Sequence, residues 1–265
     1  MGIEVRRVDY VSEVSLVGKQ VISTLLAVDG TWAESQVRLL QACLAARVQR
    51  FAPAKFSLSP DGAKHIALFA SQLQVMNACR KAKEHHSEFE YAGFHLGIFM
   101  NFLGYGAKNG EEEAINGMND TWRFIWDVEN MKAEIPLTKE GTVPSLSMME
   151  LTDVGHFVAA VCLLPKGQWQ EDFSMVGETI KVDEVVDIVE KVRGRKMETA
   201  HRKYKQVVEE AKQEEVFYPN KMWADIKAVT ARNEAGLGIM QPVVNQLCPQ
   251  VKPMGVLEYV DKFWG

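Results

Sequence analysis

The sequence has only four cysteines, and it lacks long apolar runs. Its cysteines stand far apart, and no two have metal-ligand spacing: Cys43, Cys79, Cys162 and Cys248. Each lies among apolar residues, which predicts buried thiols and a reducing compartment. No apolar run approaches the ~20 residues of a membrane span, and the N-terminus has no signal-peptide pattern. We therefore expect a soluble, cytoplasmic protein that holds no metal and enters no membrane.

Positive charge is also in short supply. Lysine and arginine number 30 against 35 aspartates and glutamates, which leaves a formal net charge of −5. A nucleic-acid binder needs a concentrated basic surface, so this balance argues against one. At 47% hydrophobic and 25% charged, the composition is that of a globular protein with a sizeable core. A length of 265 residues fits one large domain, or a domain with a smaller lobe.

Common catalytic motifs are missing as well. There is no Gly-x-Ser-x-Gly, no Tyr-x-x-x-Lys, no G-x-x-x-x-G-K-[ST], and no G-x-G-x-x-G after a predicted strand. His95 and His156 each stand alone among apolar neighbours, which favours a satisfied core role or a second-shell role over a metal-ligand role. A Cys–His nucleophilic pair stays open, although no local signature supports it. Motifs alone therefore identify no reaction.

What the sequence does contain is a strand–loop–helix–strand unit in Lys19–Phe56. The β-branched run Val21–Leu25 is typical of a strand covered on both faces. Apolar residues then recur at helical spacing over Val37–Val48, and a second strand ends near Phe51. Parallel strands joined through a helix form a right-handed βαβ unit, and their ligand loops leave the carboxyl ends of the strands. We therefore expect two such loops on one rim of a parallel sheet.

Alternating strand and helix patterns continue along the rest of the chain. They predict a strand at Ile3–Tyr10, a helix at Ala63–Glu84, a strand at Phe89–Phe94 and a short helix at Ile98–Leu103. Shorter units of both kinds follow up to a last helix at Pro253–Trp264. Such alternation is typical of the α/β fold class.

Five blocks of the sequence resemble blocks of the NmrA-like and isoflavone-reductase-like family, in its fungal type. They follow the family's order and spacing over most of the chain: VISTL, QVRLLQACLAARVQRFAPAKF, EYAGFHLGIFMNFL, the long block LTDVGHFVAAV to GRKME, and VKPMGVLEYVDKFWG. The resemblance implies an atypical short-chain reductase with a Rossmann-like parallel sheet and a smaller mixed α/β C-terminal lobe. We accordingly place a partial Rossmann-like NAD(P)-binding domain at residues 1–130. A substrate lobe, interleaved with the last strands and the C-terminal helices, is expected at 131–265.

The same resemblance implies two alternative functions. Many members of the family bind NADPH and reduce small aromatic or polyketide-like molecules. Others, including the NmrA regulator itself, sense the dinucleotide and bind a transcription factor without turnover. The chain is therefore expected to be an NAD(P)-dependent oxidoreductase of fungal secondary metabolism, or else a non-catalytic dinucleotide-sensing or protein-binding regulator. The expected ligands are NADP or NAD and a small-molecule substrate.

By position, the resemblance implies a cofactor site and a substrate site. The residues expected beside the adenosine and pyrophosphate are Ser23, Thr24 and Leu25. The residues in place of the family's Pro-Ser-Glu-Phe block, near the nicotinamide, are Pro53, Ala54, Lys55 and Phe56. The residues expected to line the substrate and nicotinamide cleft are Gly97, Phe99 and Asn101. Two simpler interpretations stand beside these: Ser23 and Thr24 terminate a strand, and Lys55 is a surface cation.

The sequence departs from the family pattern at three points. Ala54 and Lys55 replace a hydroxyl and a carboxylate by a methyl and a cation. The register of the family's catalytic lysine falls at Gln72–Met76, where there is no lysine, and Lys64 stands about two turns earlier. The sequence also begins at what resembles the family's third strand, without the glycine-rich strand–loop–helix. That difference weakens the expected hold on a dinucleotide and leaves the VISTL edge unpaired, so we expect self-association through that edge.

Overall fold

A computed structural model describes Leu16 and residues 20–118, 123–215, 217–234 and 237–265, with only the backbone of Phe217. The chain divides into two compact units. Unit 1 holds the described residues up to Phe56 together with Ala70–Phe94 and Leu164–Phe173. Unit 2 holds Ser57–Phe69, His95–Leu163 and Ser174–Gly265. Residue 130, where the domain boundary was predicted, lies inside unit 2. Each unit is assembled from several separate stretches of chain.

The helices follow the apolar periodicity of the sequence, with shifts at their ends. They are α1 (Trp32–Ala45), α2 (Pro60–Ala63), α3 (Ala70–His85), α4 (Glu111–Ile115), α5 (Leu151–Cys162), α6 (Val182–Arg193), α7 (Tyr204–Gln213), α8 (Met222–Arg232), α9 (Val243–Leu247) and α10 (Val256–Trp264). The helix predicted at Ala63–Glu84 is divided into α2, a 3₁₀ turn and α3. Ser59 Oγ accepts a hydrogen bond from Gly62 N at 3.1 Å and so caps the start of α2.

The strands are short and form sheets of three. They are β1 (Gln20–Ile22), β2 (Arg50–Ala52), β3 (Phe56–Ser57), β4 (Glu90–Tyr91), β5 (Gly93–His95), β6 (Ile98–Phe99), β7 (Trp126–Asp127), β8 (Lys132–Pro136), β9 (Ser145–Met149), β10 (Asp172–Ser174), β11 (Glu178–Lys181) and β12 (Glu198–Arg202). Their orders are β1-β2-β4, β10-β5-β3, β11-β9-β6 and β12-β8-β7. The single strand predicted at Phe89–Phe94 is therefore two strands in different sheets. The short helix predicted at Ile98–Leu103 is β6 followed by a 3₁₀ turn.

Unit 1 contains the predicted βαβ unit. β1 runs parallel to β2 with Val21 opposite Phe51, and β2 runs parallel to β4. Helix α1 connects β1 to β2, and α3 precedes β4. Their inward faces and the sheet share one core, which includes Leu39, Leu40, Cys43, Phe51, Val75, Met76, Cys79 and Tyr91. Burying a large apolar side chain of this kind stabilises the fold by about 1.5–3 kcal/mol. The α/β, Rossmann-like fold class predicted from the sequence is confirmed.

β1 lies at the edge of this sheet. Among the described residues it pairs with β2 alone. The strand predicted at Ile3–Tyr10 lies outside the described residues. Self-association through the edge of β1 stays a prediction.

Unit 2 is built around a separate core. The parallel pairs β6–β9 and β8–β12 are extended by the antiparallel strands β11 and β7. The predicted C-terminal helix is present as α10, and its Val256, Val260 and Phe263 are buried. Two side chains of α10 also bond the backbone: Tyr259 Oη donates to Ala114 O at 2.7 Å, and Trp264 Nε1 donates to Leu103 O at 2.8 Å. These bonds anchor the C-terminus within the unit.

Candidate functional site

A buried amide joins the carboxyl ends of β1 and β2. Gln36 of α1 has no exposed surface, and its Nε2 donates to Ser23 Oγ at 2.9 Å. Its Oε1 accepts a hydrogen bond from Ala54 N at 3.2 Å. Ser23 N also donates to Ala52 O at 2.8 Å, so the strand pairing extends to the start of the loop. The structure thus brings together Ser23 and Ala54, two of the predicted cofactor residues.

Gln36 was not predicted as a site residue. It stands on the inward face of α1 with Leu39, Leu40 and Cys43, whose apolar side chains marked that face in the sequence. A polar residue on an apolar face is the signal that would have found it, because a buried polar group requires hydrogen-bond partners.

An open cavity of about 490 Å³ lies beside this junction, within unit 1. It is lined by Val21, Ile22, Ser23, Thr24, Leu25, Ser35, Arg38 and Leu39. The cavity therefore combines three hydroxyl groups, one guanidinium group and an apolar wall. These are the groups expected around a nucleotide, whose phosphates need donors and whose base needs apolar contacts.

The loop after β1 carries exposed apolar side chains. Leu25, Leu26 and Val28 are 44%, 70% and 40% exposed. The loop is anchored to the start of α1, because Trp32 Nε1 donates a hydrogen bond to Leu25 O at 3.0 Å. Asp29 Oδ1 accepts hydrogen bonds from Thr31 N at 3.0 Å and Thr31 Oγ1 at 2.7 Å, which closes a turn within this loop. Thr24 and Leu25 are exposed, whereas Ser23 is 6% exposed.

The second predicted loop, Pro53–Phe56, is mostly buried. The Phe56 ring stacks on Phe94 with centroids 5.4 Å apart and an interplanar angle of 12°. Lys55 has no exposed surface, so the interpretation as a surface cation is wrong. Its side chain passes Gly93, where a Cβ atom would stand 2.9 Å from Lys55 Cδ. Glycine at position 93 therefore leaves room for the lysine.

Burial changes the acid–base behaviour of Lys55. Desolvation lowers the pKa of its amine from 10.5 to about 8, against the attraction of the Asp172 and Glu171 carboxylates, which raises it. With a pKa of about 8, the amine can exchange a proton near physiological pH.

This shift predicts a pH-dependent stability. Between pH 8 and 10.5 the unfolded chain holds more protons at Lys55 than the folded chain does. The free energy of unfolding therefore rises with pH across that window, and this gain is lost as the pH falls back to 8. Relative to Lys55→Met, the wild-type chain should gain on the order of 2–3 kcal/mol over this range. Urea unfolding at a series of pH values measures the difference. Lys81→Met, on the exposed surface of α3, is the matched control, and parallel wild-type and Lys55→Met curves would contradict the shift.

The three predicted substrate residues lie in unit 2 and differ in exposure. Asn101 is fully buried: its Nδ2 donates to Ala114 O at 2.8 Å and to Glu150 Oε1 at 3.2 Å, and its Oδ1 accepts from Leu151 N at 2.9 Å. Gly97 is buried and adopts a φ of +77°. Phe99 keeps exposed surface, with its ring centroid 6.4 Å from that of Phe102. Among these three, Phe99 is thus the side chain open to a ligand.

The positions that correspond to the family's catalytic lysine, Gln72–Met76, hold no acid–base group. Gln72 and Met76 of α3 are buried at 8% and 4% exposure. Lys64 is exposed, and its Nζ lies 2.6 Å from Asp61 Oδ1. Lys64 lies at the end of α2, outside α3, where the register falls.

Two of the four cysteines are poor candidates for the open Cys–His alternative. Burial raises the pKa of the Cys43 and Cys79 thiols to about 12, which leaves little thiolate at neutral pH. His95 is 1% exposed with Nδ1 2.9 Å from Leu58 O, as predicted for a core histidine. His156 does not lie in the core, because its side chain is 63% exposed, with Nδ1 3.4 Å from Asp153 Oδ1. Among the described residues, no group of three or more His, Cys, Asp or Glu side chains is placed to hold a metal ion.

The fold and the loops at the carboxyl ends of β1 and β2 define a Rossmann-like α/β protein. The family model described as the NmrA-like family matches residues 16–260, and the chain belongs to that family. Among curated protein sequences, none matches. No helix of the described residues is both long enough and apolar enough to cross a membrane.

Several solved structures share the fold. The structure titled AtPrR2 with NADP⁺ and (+)pinoresinol is 17% identical with a TM-score of 0.68, and the match covers 96% of this chain and 80% of that one. An isoflavone reductase is 16% identical with a TM-score of 0.68 and the same two coverages, 96% and 80%. The Citrobacter sp. triphenylmethane reductase complexed with NADP(H) is 15% identical with a TM-score of 0.64, covering 98% and 84%. At these identities the likeness establishes the fold.

Proposed function

We propose that this chain is an NAD(P)-dependent oxidoreductase that reduces a small aromatic or polyketide-like molecule in the cytoplasm, within fungal secondary metabolism. The observation that carries the proposal is the Gln36 junction: one buried amide joins two loops at the carboxyl ends of parallel strands, beside a cavity of about 490 Å³. The solved structures of the same fold that are named with NADP⁺ or NADP(H) support a dinucleotide as the ligand.

The residues present fit the adenosine and phosphate part of such a ligand. Ser23, Thr24 and Ser35 supply hydroxyl donors, and Arg38 supplies a cation for phosphate. The exposed Leu25 and neighbouring apolar side chains can cover a flat base. These side chains would make the phosphate contacts.

On the nicotinamide side, the proposal assigns positioning roles. When bound, the dinucleotide supplies a hydride. The loop Pro53–Phe56, held at Ala54 by Gln36, would orient the nicotinamide. Lys55 can hold a proton near neutral pH, although its side chain has no exposed surface.

A second candidate function is a non-catalytic, dinucleotide-sensing regulator. It is favoured by the absence of a lysine from Gln72–Met76, because a reductase needs a group that delivers a proton as the hydride arrives. Such a regulator would keep the Gln36 junction and the cavity, since both serve binding.

A turnover assay separates the two candidates. The purified chain is incubated with NADPH and a panel of aryl ketones, enones and quinones, and the absorbance of reduced nicotinamide is followed. A reductase should oxidise NADPH only when a suitable panel member is present. Saturable NADPH binding without oxidation by any member would contradict the reductase and favour the regulator.

A further inference from the structure

The amide of Gln36 has one orientation compatible with its neighbours. One end lies 3.2 Å from Ala54 N, and a backbone N–H can only donate, so that end is the carbonyl oxygen. The other end is therefore the NH₂ group, which faces Ser23 Oγ at 2.9 Å and donates to it. Gln36 has no exposed surface, so water does not compete for either bond.

This orientation determines the role of the Ser23 hydroxyl. Its oxygen accepts from Gln36 Nε2, and Leu25 N lies 3.4 Å away as a second donor. Because both lone pairs of Ser23 Oγ face N–H donors, the hydroxyl can make a further hydrogen bond only as a donor, through its own hydrogen. Within the described part of the chain, that hydrogen meets no acceptor. Ser23 nevertheless lines the 490 Å³ cavity, so a ligand there can supply the acceptor.

We propose that Gln36 is a positioning residue of the dinucleotide site, which makes the Ser23 hydroxyl an obligatory donor to a ligand phosphate oxygen. The inference rests on the proposed dinucleotide binding and names the contact that selects the ligand. A phosphate oxygen fits because it only accepts, and because the Arg38 guanidinium lines the same cavity. Gln36 also holds Ala54, so the same amide fixes the second loop relative to this contact.

Reversing the polarity of the amide tests the inference. In Gln36→Glu an ionised carboxylate can still accept from Ala54 N, but it accepts from Ser23 as well and so consumes the hydroxyl hydrogen. We expect NADP⁺ affinity, measured by calorimetry, to fall about 10- to 100-fold. The loss should grow with pH relative to wild type, because a protonated carboxyl can donate to Ser23 as the amide does. Gln41→Glu makes the same change on the exposed face of α1 and should bind like wild type.

Ser23→Ala supplies a second variant should a buried glutamate prevent folding. It removes the donor with little change of volume and should lower NADP⁺ affinity about tenfold. In the Ser23→Ala background, Gln36→Glu should cost about tenfold less than it does alone, because the two residues act through one hydrogen bond. A purely structural role of Gln36 would not produce this coupling or the pH profile.

The outcomes separate this inference from the proposed function. If the wild-type chain binds NADP⁺ and folded Ser23→Ala binds it within twofold, the inference is overturned while the proposed function stands. If the wild-type chain binds no NADP⁺, both are overturned. Thermal unfolding of each variant, compared with wild type, establishes that the binding changes do not come from loss of fold.

Discussion

Replacing Glu90 by alanine should destabilise the chain by about 3–5 kcal/mol, because it leaves a buried arginine without its carboxylate. Arg50 Nε lies 2.8 Å from Glu90 Oε2, with the two side chains 8% and 6% exposed. Glu90 Oε1 also accepts hydrogen bonds from Gly167 N at 2.7 Å and Trp169 N at 3.3 Å. One carboxylate therefore neutralises the cation and holds the Leu164–Phe173 stretch against the sheet of unit 1.

Urea unfolding of Glu90→Ala against wild type measures this effect. Glu88→Ala is the matched control: two residues earlier, Glu88 pairs with Lys166 of the same stretch, but the side chains are 71% and 53% exposed. An exposed pair contributes about 0–1 kcal/mol. Equal effects of the two substitutions would show that the buried network does not hold this stretch.

Gly97→Ala should destabilise unit 2 by about 3 kcal/mol or more, since it combines backbone strain with a collision. The φ of +77° is unfavourable for any residue with a side chain. A Cβ atom at this position would stand 2.1 Å from Ser147 O and 2.8 Å from Ser147 C. The atom it meets is backbone of β9, which cannot move aside without breaking its pairing with β6 and β11.

Gly141→Ala separates strain from collision. Gly141 has a φ of +80°, but no heavy atom of the described residues lies within 4 Å of its Cβ position. This control should cost about 1–2 kcal/mol from strain alone. Chemical unfolding of the two variants gives the difference directly. If both lose the same free energy of unfolding, the close approach of residues 97 and 147 does not constrain the fold.

Local patterns predicted the elements of the fold better than their ends and partners. The run Val21–Leu25 and the apolar face of α1 marked a βαβ unit that is present. The apolar stretch Phe89–Phe94 indicated one strand, yet it divides at Ala92, because β4 pairs with β2 and β5 belongs to another sheet. Pairing between distant strands decides where such a run breaks, and no local pattern records it.

The strands β11 and β12 are strands that side-chain pattern does not reveal. Their sequences, ETIK and ETAHR, are charged, and most of their residues keep exposed surface. Exposed charged strands lack the apolar alternation by which strands are predicted, although both pair through their backbones with β9 and β8. Backbone pairing in the folded unit, rather than side-chain pattern, defines them.

The candidate site was predictable only through family resemblance, and then in part. Resemblance pointed to Ser23 and Ala54, but the residue that joins them stands 13 and 18 positions away along the chain. Gln36 stands on the apolar face of α1, but its residue type argued against burial, since a glutamine within a helix is ordinarily exposed. Lys55 likewise suggested a surface cation until its burial placed its pKa near 8. In both cases the fold buries a residue of a type that is ordinarily exposed.

Titration of the wild-type chain with NADPH by calorimetry shows whether the chain binds a dinucleotide at all. We expect saturable binding at one site per chain. At NADPH concentrations about 100-fold above the Kd, the free energy of unfolding should rise by about 2.7 kcal/mol. Absence of binding heat, together with a melting temperature unchanged by NADPH, would contradict the dinucleotide site at the carboxyl ends of β1 and β2.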